Sequence, residues 1–157
     1  VGDIEGLFRS EHAPLWRALA AFAGDEQIAS DAEAEAITQL ISRGDAVRNG
    51  RAWLWAAAFK IARGMLKERS AVIVLTSEGE GHAEPPVQLG LEFADLIRHT
   101  SSQQRACLVL RYITDLDNRQ IARVLHTSPV VVGVQLHRAH RRVAASIERR
   151  NGSSQEV

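Results

Sequence analysis

Asp117-Asn-Arg-Gln-Ile-Ala-Arg-Val-Leu-His-Thr-Ser-Pro129 is the stretch that decides how this chain folds. Asp117 with Gln120 three residues on is a capping-box pattern, in which the carboxylate accepts from the third helical N–H and the amide reaches back to the cap. Leu116 precedes it as a hydrophobic staple. The helix so opened carries Ile121, Ala122, Val124 and Leu125 and ends at His126-Thr127. Ser128 is a good N-cap, and Pro129 stands at the first helical position, where its missing N–H costs nothing. Two helices of about 9 and 20 residues across a turn of about 2–3 residues make a helix-turn-helix. Ala122 is small where the two helices must approach. The second helix is predicted to run to about Arg149, with Val132, Leu136, Ala139, Val143 and Ile147 as its buried stripe. Upstream, Ser101-Ser-Gln-Gln104 is another capping box, opening a helix to about Ile113.

Further outward the pattern stays helical. Segment 4–23 places Ile4, Leu7, Phe8, Leu15, Trp16, Leu19 and Phe22 near helical period, with Pro14 offsetting its first turns and Gly24-Asp25 ending it. Segment 27–42 repeats the period, and Gly44 and Asn49-Gly50 punctuate the loop after it. Segment 51–69 carries Trp53, Leu54, Ala57, Ala58, Ile61, Ala62, Met65 and Leu66 on one broad apolar face. The β-branched run 71–75 is too short and isolated to build a sheet. Residues 76–90 are rich in Gly, Pro and acid and read as a flexible linker. The expected fold is all-α: two small helical domains, 1–70 and 95–150, joined by a linker over 71–94, with a tail at 151–157. Bodies this small are marginal alone, so each is expected to lean on the other or on a partner.

The 157 residues are 45% apolar and 24% charged, which excludes disorder over the whole chain. No apolar run approaches the roughly 20 residues of a membrane span, and no secretory leader or membrane insertion is expected. Cys107 is the only cysteine, so there is no intrachain disulfide and no cysteine-based zinc site. It reads as a small core residue, and a reducing, cytoplasmic setting fits. The net charge of zero hides an asymmetry: residues 105–150 hold 9 Lys/Arg against 3 Asp/Glu, a net of +6. A basic end on a neutral chain points to a polyanion partner for that end.

The second helix of a helix-turn-helix lies in the DNA major groove, leading with its N-terminal turns. Arg138, Arg141 and Arg142 follow one to two turns later, placed for phosphates, and Arg119 and Arg123 reach for the flanking backbone. In the first half, Lys60, Arg63 and Lys67 fall within about 60° on a helix. Trp55 and Phe59 lie at the other border of that helix face. Either these rings receive unstacked bases beside the cations, or they widen the core face.

Leu110 to Ser128, with Val132 and Leu136-His-Arg-Ala139, resembles region 4 of extracytoplasmic-function sigma factors. Ile28 to Ile37 is similar to the region 2 helix that docks on core RNA polymerase. Arg51-Ala-Trp-Leu54 through Lys67 looks like the helix that engages the −10 promoter element. The resemblance implies an alternative sigma factor that binds core RNA polymerase and directs promoter-specific initiation; it is not itself an enzyme. It implies polymerase contacts at Asp31 and Glu35, −10 contacts at Trp55, Phe59, Lys60, Arg63 and Lys67, and a flipped base held by the loop Gly44 to Gly50. It implies −35 contacts at Arg119, Arg123, Ser128, Val131, Gln135, Arg138, Arg141 and Arg142, and an anti-sigma factor as a further partner.

Two departures stand out. Ala34 replaces the Gln usual in the docking helix, and Gly133, Val134 and Gln135 replace the usual Lys, Ser and Arg. Val130, Val131 and Val134 then face outward, without hydrogen-bonding groups. Such a face either reads thymine methyls or meets a protein. The second option supports the alternative reading, a sigma-like decoy or a silenced sigma factor acting mainly through anti-sigma binding. His12, His82, His99, His126, His137 and His140 form no metal set, and no phosphate loop, nucleophile elbow or paired carboxylates are present. No cofactor and no metal are expected.

Overall fold

The computed structural model describes residues 2–76 and 91–155. Among them are seven α-helices, one 3-10 turn and no strand. The order is α1 (Ile4–Ala23), α2 (Glu26–Arg43), the 3-10 turn (Gly44–Ala46), α3 (Gly50–Thr76), α4 (Leu91–Ile97), α5 (Ser102–Tyr112), α6 (Asn118–Leu125) and α7 (Pro129–Ser153). The all-α reading therefore holds.

Local chemistry accounts for most helix ends. Asp3 accepts from the Gly6 N–H at 2.8 Å and opens α1. Gly24 closes α1 at φ +63°, a left-handed conformation that glycine adopts without a Cβ clash. Pro14 does not break α1; the helix runs through it, with the ring on the exposed side and Leu15, Ala18, Leu19 and Phe22 buried opposite. Asp25 caps α2 through the Gln27 and Ile28 N–H groups and also accepts from Arg69 of α3 at 2.7 Å. Ala29, Ala32 and Ala36 are fully buried. Their small side chains let α2 lie close against α1 and α3.

In the second half both capping boxes form, Ser101 with Gln104 and Asp117 with Gln120. His126 takes the left-handed conformation, φ +51°, and the Thr127 N–H closes back on the Ala122 carbonyl at 3.0 Å. Ser128 caps α7 by accepting from the Val131 N–H, and Pro129 leads the helix.

Some boundaries differ from the expectation. The backbone of α3 stays helical to Thr76, through the β-branched run, and α4 begins at Leu91. Both ends of the span 71–94 are thus helical, and residues 77–90 lie outside the described residues. The buried stripe of α7 holds at Val132, Leu136 and Ala139, and Val143 is half-buried. Ile147 is 42% exposed, and Ser146 takes the buried place instead. The spacing from Val132 to Ser146 keeps to 4, 3, 4 and 3, nearer the true period of the helix than a final step of 4.

The two halves dock. α6 packs along α3 and α5 packs on α1. At the α5–α1 contact the Arg105 Nε–H donates to the Phe22 carbonyl at 2.7 Å, and the guanidinium lies 5.5 Å from the Phe22 ring centroid. Burial and the nearby Arg69 charge lower the Arg105 pKa. The Phe22 ring meets Phe59 on its other side, centroids 5.5 Å apart, so Arg105 is tied to the core of the first half.

Two outcomes follow from this packing. Cys107 is buried, and burial pushes its thiol up to about 11, with Arg63 opposing in part. Native protein at pH 8 should resist thiol alkylation until denaturant is added. Because the unfolded chain loses this proton first, the contribution of the thiol to stability is intact below pH 9 and falls as the pH rises towards 11. Rapid labelling of native protein would contradict this burial. Secondly, Arg105→Ala removes a charged hydrogen bond and a cation–π contact, together about 2 kcal/mol. The radius of gyration in small-angle scattering should rise while far-UV circular dichroism stays unchanged. An unchanged radius would mean that the helix faces hold the halves without Arg105.

Candidate nucleic-acid interface

The helix-turn-helix projects the first two turns of α7 into solvent. Val130 is 77% exposed, Val134 44% and Val131 37%. Arg138 and Arg141 are exposed on the same side of α7, since positions 130, 134, 138 and 141 fall within about 80° of one another. Arg119 and Arg123 are exposed on α6. Not every expected contact residue is equally free. The Ser128 hydroxyl already accepts from the Val131 N–H. The half-buried Gln135 amide donates to Gln103 Oε1 of α5 at 3.3 Å. Arg142 donates to the His99 carbonyl at 3.2 Å, so part of its guanidinium serves the fold.

In the first half, Lys60 and Lys67 are exposed and Arg63 is half-buried. The aromatic assignment needs correction. Phe59 is fully buried and Trp55 is 6% exposed, so neither offers a ring face to a base. Trp55 is drawn inward by a buried carboxylate: its indole N–H donates to Glu11 Oε2 at 2.8 Å, and Arg51 Nε stands 3.2 Å from the same oxygen. The two rings widen the core face.

Trp53 takes the open position instead. It is half-buried, with the Arg43 guanidinium 5.3 Å from its ring centroid. The signal was present in the spacing, because positions 53 and 60 differ by seven residues and lie within about 20° on a helix. Arg43, Arg48, Trp53, Lys60, Arg123 and His126 line a groove of about 750 Å³ between the 44–49 loop, α3 and α6. Among the described residues no Asp or Glu lines it. A groove with several cations and an aromatic wall suits a polyanion carrying planar groups. Arg43, Arg48 and His126 carry no such signal in their spacing, since only the loop conformation and the docking of α6 bring them beside Lys60.

Asp31 and Glu35 lie exposed and one turn apart on α2, accepting from the Gln27 and Gln39 amides at 2.8 Å each. Glu33, between them in sequence, points inward, and both of its oxygens lie within hydrogen-bond distance of His12 Nδ1, at 2.8 and 2.9 Å. Burial raises the Glu33 pKa, and His12 partly offsets that. Among the described residues no group of three His, Cys, Asp or Glu could hold a metal ion. No helix of the described residues is long and apolar enough to cross a membrane.

Residues 91–143 match the family model "Sigma-70, region 4". Among curated proteins none matches the chain by sequence. Two solved structures share the fold of nearly the whole chain. CnrH, determined in complex with the cytosolic domain of CnrY, is 19% identical at a TM-score of 0.69, with 92% of this chain and 87% of that one covered. The sigma factor RpoE, determined in complex with the anti-sigma factor NepR from Bartonella quintana, is 19% identical at a TM-score of 0.68, with 90% and 96% covered. The family match thus falls on the second half of the chain, and the likeness to the two solved structures is one of fold.

Proposed function

We propose that the chain is an alternative sigma factor of the extracytoplasmic-function type, which binds core RNA polymerase and directs promoter-specific initiation in the cytoplasm. The observation that carries this reading is where the region 4 match falls. It covers a helix-turn-helix whose second helix presents its leading turns, Arg138 and Arg141 to solvent. In this reading α7 enters the major groove of the upstream −35 element, with Arg119, Arg138 and Arg141 on phosphates. Lys60, Lys67 and the Arg43–Trp53 wall take the opened −10 strand, and the 44–49 loop holds an unstacked base. Asp31 and Glu35 face core polymerase. Arg123 and His126 of α6 line the same groove as Lys60 and add to its positive wall.

A second reading keeps the same fold and makes protein binding the main role, as a decoy or a silenced sigma factor. It is favoured by the two solved neighbours, both determined with a protein partner, one of them an anti-sigma factor. An anti-sigma partner is compatible with either reading.

In vitro transcription with purified core polymerase on a library of promoter fragments separates the two. Discrete start sites that depend on the chain are the expected result. Core binding without initiation would transfer support to the decoy reading. Within the first reading, Arg141→Ala should weaken duplex binding across sequences and reduce the salt slope by about 1, with preference unchanged. Unchanged affinity and unchanged slope would remove Arg141 from the phosphate contacts.

A further inference from the structure

The leading turns of α7 are unusual for a helix that reads DNA. Val130, Val131 and Val134 are its most forward exposed side chains, and none carries a donor or an acceptor. The nearest amide, Gln135, is already engaged by Gln103. Among the nearby cations, Arg138 and Arg141 are exposed on the same side of α7 as Val130 and Val134, and Arg119 is exposed on α6. A protein groove that accepted the valines would also have to be acidic around its rim. The duplex supplies both features at once, a rim of phosphates and one apolar group on the floor of the major groove, the thymine C5-methyl.

We infer that Val130, Val131 and Val134 read thymine methyl groups, so that the upstream element of this chain is defined by thymines under the first two turns of α7. This rests on the proposed role of α7 in duplex binding. The selectivity has two physical parts. A thymine methyl against a valine removes apolar surface from water. A guanine or cytosine edge at the same place leaves polar groups desolvated opposite hydrocarbon, with no partner. Helix geometry limits the reach: Val130 and Val134 are one turn apart on one line, and Val131 sits about 100° round the helix. Methyls on neighbouring base pairs are therefore the target, rather than a single position. Gly133 places no side chain among the valines, and a Cβ built there would come no nearer than 3.7 Å to the Asn118 amide nitrogen. The tip is thus open rather than filled.

The test uses the full chain loaded on core polymerase. Sites are selected from a pool of duplexes randomised over the upstream element, and thymines in the selected site are then replaced singly by deoxyuridine, which removes only the methyl. The selected sites should hold two or more thymines where α7 lies, and each deoxyuridine at those positions should lower affinity roughly fourfold. Val130→Ala with Val134→Ala should abolish the preference for thymine over deoxyuridine at the positions beneath those two side chains and leave the preference beneath Val131 in place. Both sites are exposed, so circular dichroism should show an intact fold. Specific binding with no response to deoxyuridine, or a selected site without thymine, overturns the inference and leaves the sigma factor reading in place. Thymine discrimination that survives undiminished at every position after both valine substitutions also overturns it. If the chain selects no duplex at all with core polymerase present, the sigma factor reading fails and takes this inference with it.

Discussion

The contact between Arg105 and Phe22 joins two helical halves, each too small to bury a large core of its own. The guanidinium gives one N–H to a backbone carbonyl near the end of α1 and rests on the ring of the same residue. That ring also packs on Phe59 in the heart of the first bundle. The charge is only half-exposed, and its lowered pKa reflects the cost of withdrawing it from water. A buried cation holds its place only when its hydrogen bonds are made, so the geometry of this joint is narrow. Through it the seam continues to α6 against α3, and the groove between the halves exists because of that seam.

Polar groups in the first half divide into those that hold the bundle and those left for a partner. Glu11 and Glu33 are buried, one with Trp55 and Arg51, the other with His12. Asp31 and Glu35 lie on the outer side of α2 and make only local amide contacts. The same division applies to cations. Arg51 and Arg69 are committed to Glu11 and Asp25, whereas Lys60 and Arg48 line the groove. A sequence pattern of acids and bases on helices does not reveal this division, because a step of one or two residues, about 100–200° round the helix, separates a structural ion pair from an exposed charge.

The legible parts of the fold are those whose causes lie within a few residues. Asp117 with Gln120, Ser101 with Gln104, and Ser128 with Pro129 each satisfy orphan N–H groups three positions away, and all three act as read. The outward position of Val130, Val131 and Val134 followed from periodicity alone. Trp55 and Phe59 show the limit. Their place on the helix wheel leaves core and strand both open, and the choice depends on Glu11, 44 residues away, reaching the Trp55 indole. The run 71–75 stayed helical because β-branched residues lower helix propensity only slightly, and α3 was already long when it reached them.

Residues alone were enough to set the all-α class, the helix-turn-helix, its caps and the apolar leading turns of α7. Each of these depends on hydrogen bonds and side-chain periods confined to one or two turns. The docking of the halves, the ring of Trp53 facing the groove, and the meeting of Arg123 and His126 with Lys60 arose only in three dimensions. They depend on contacts such as Arg105 to Phe22, 83 residues apart, and separations of that length leave no periodic trace along the chain.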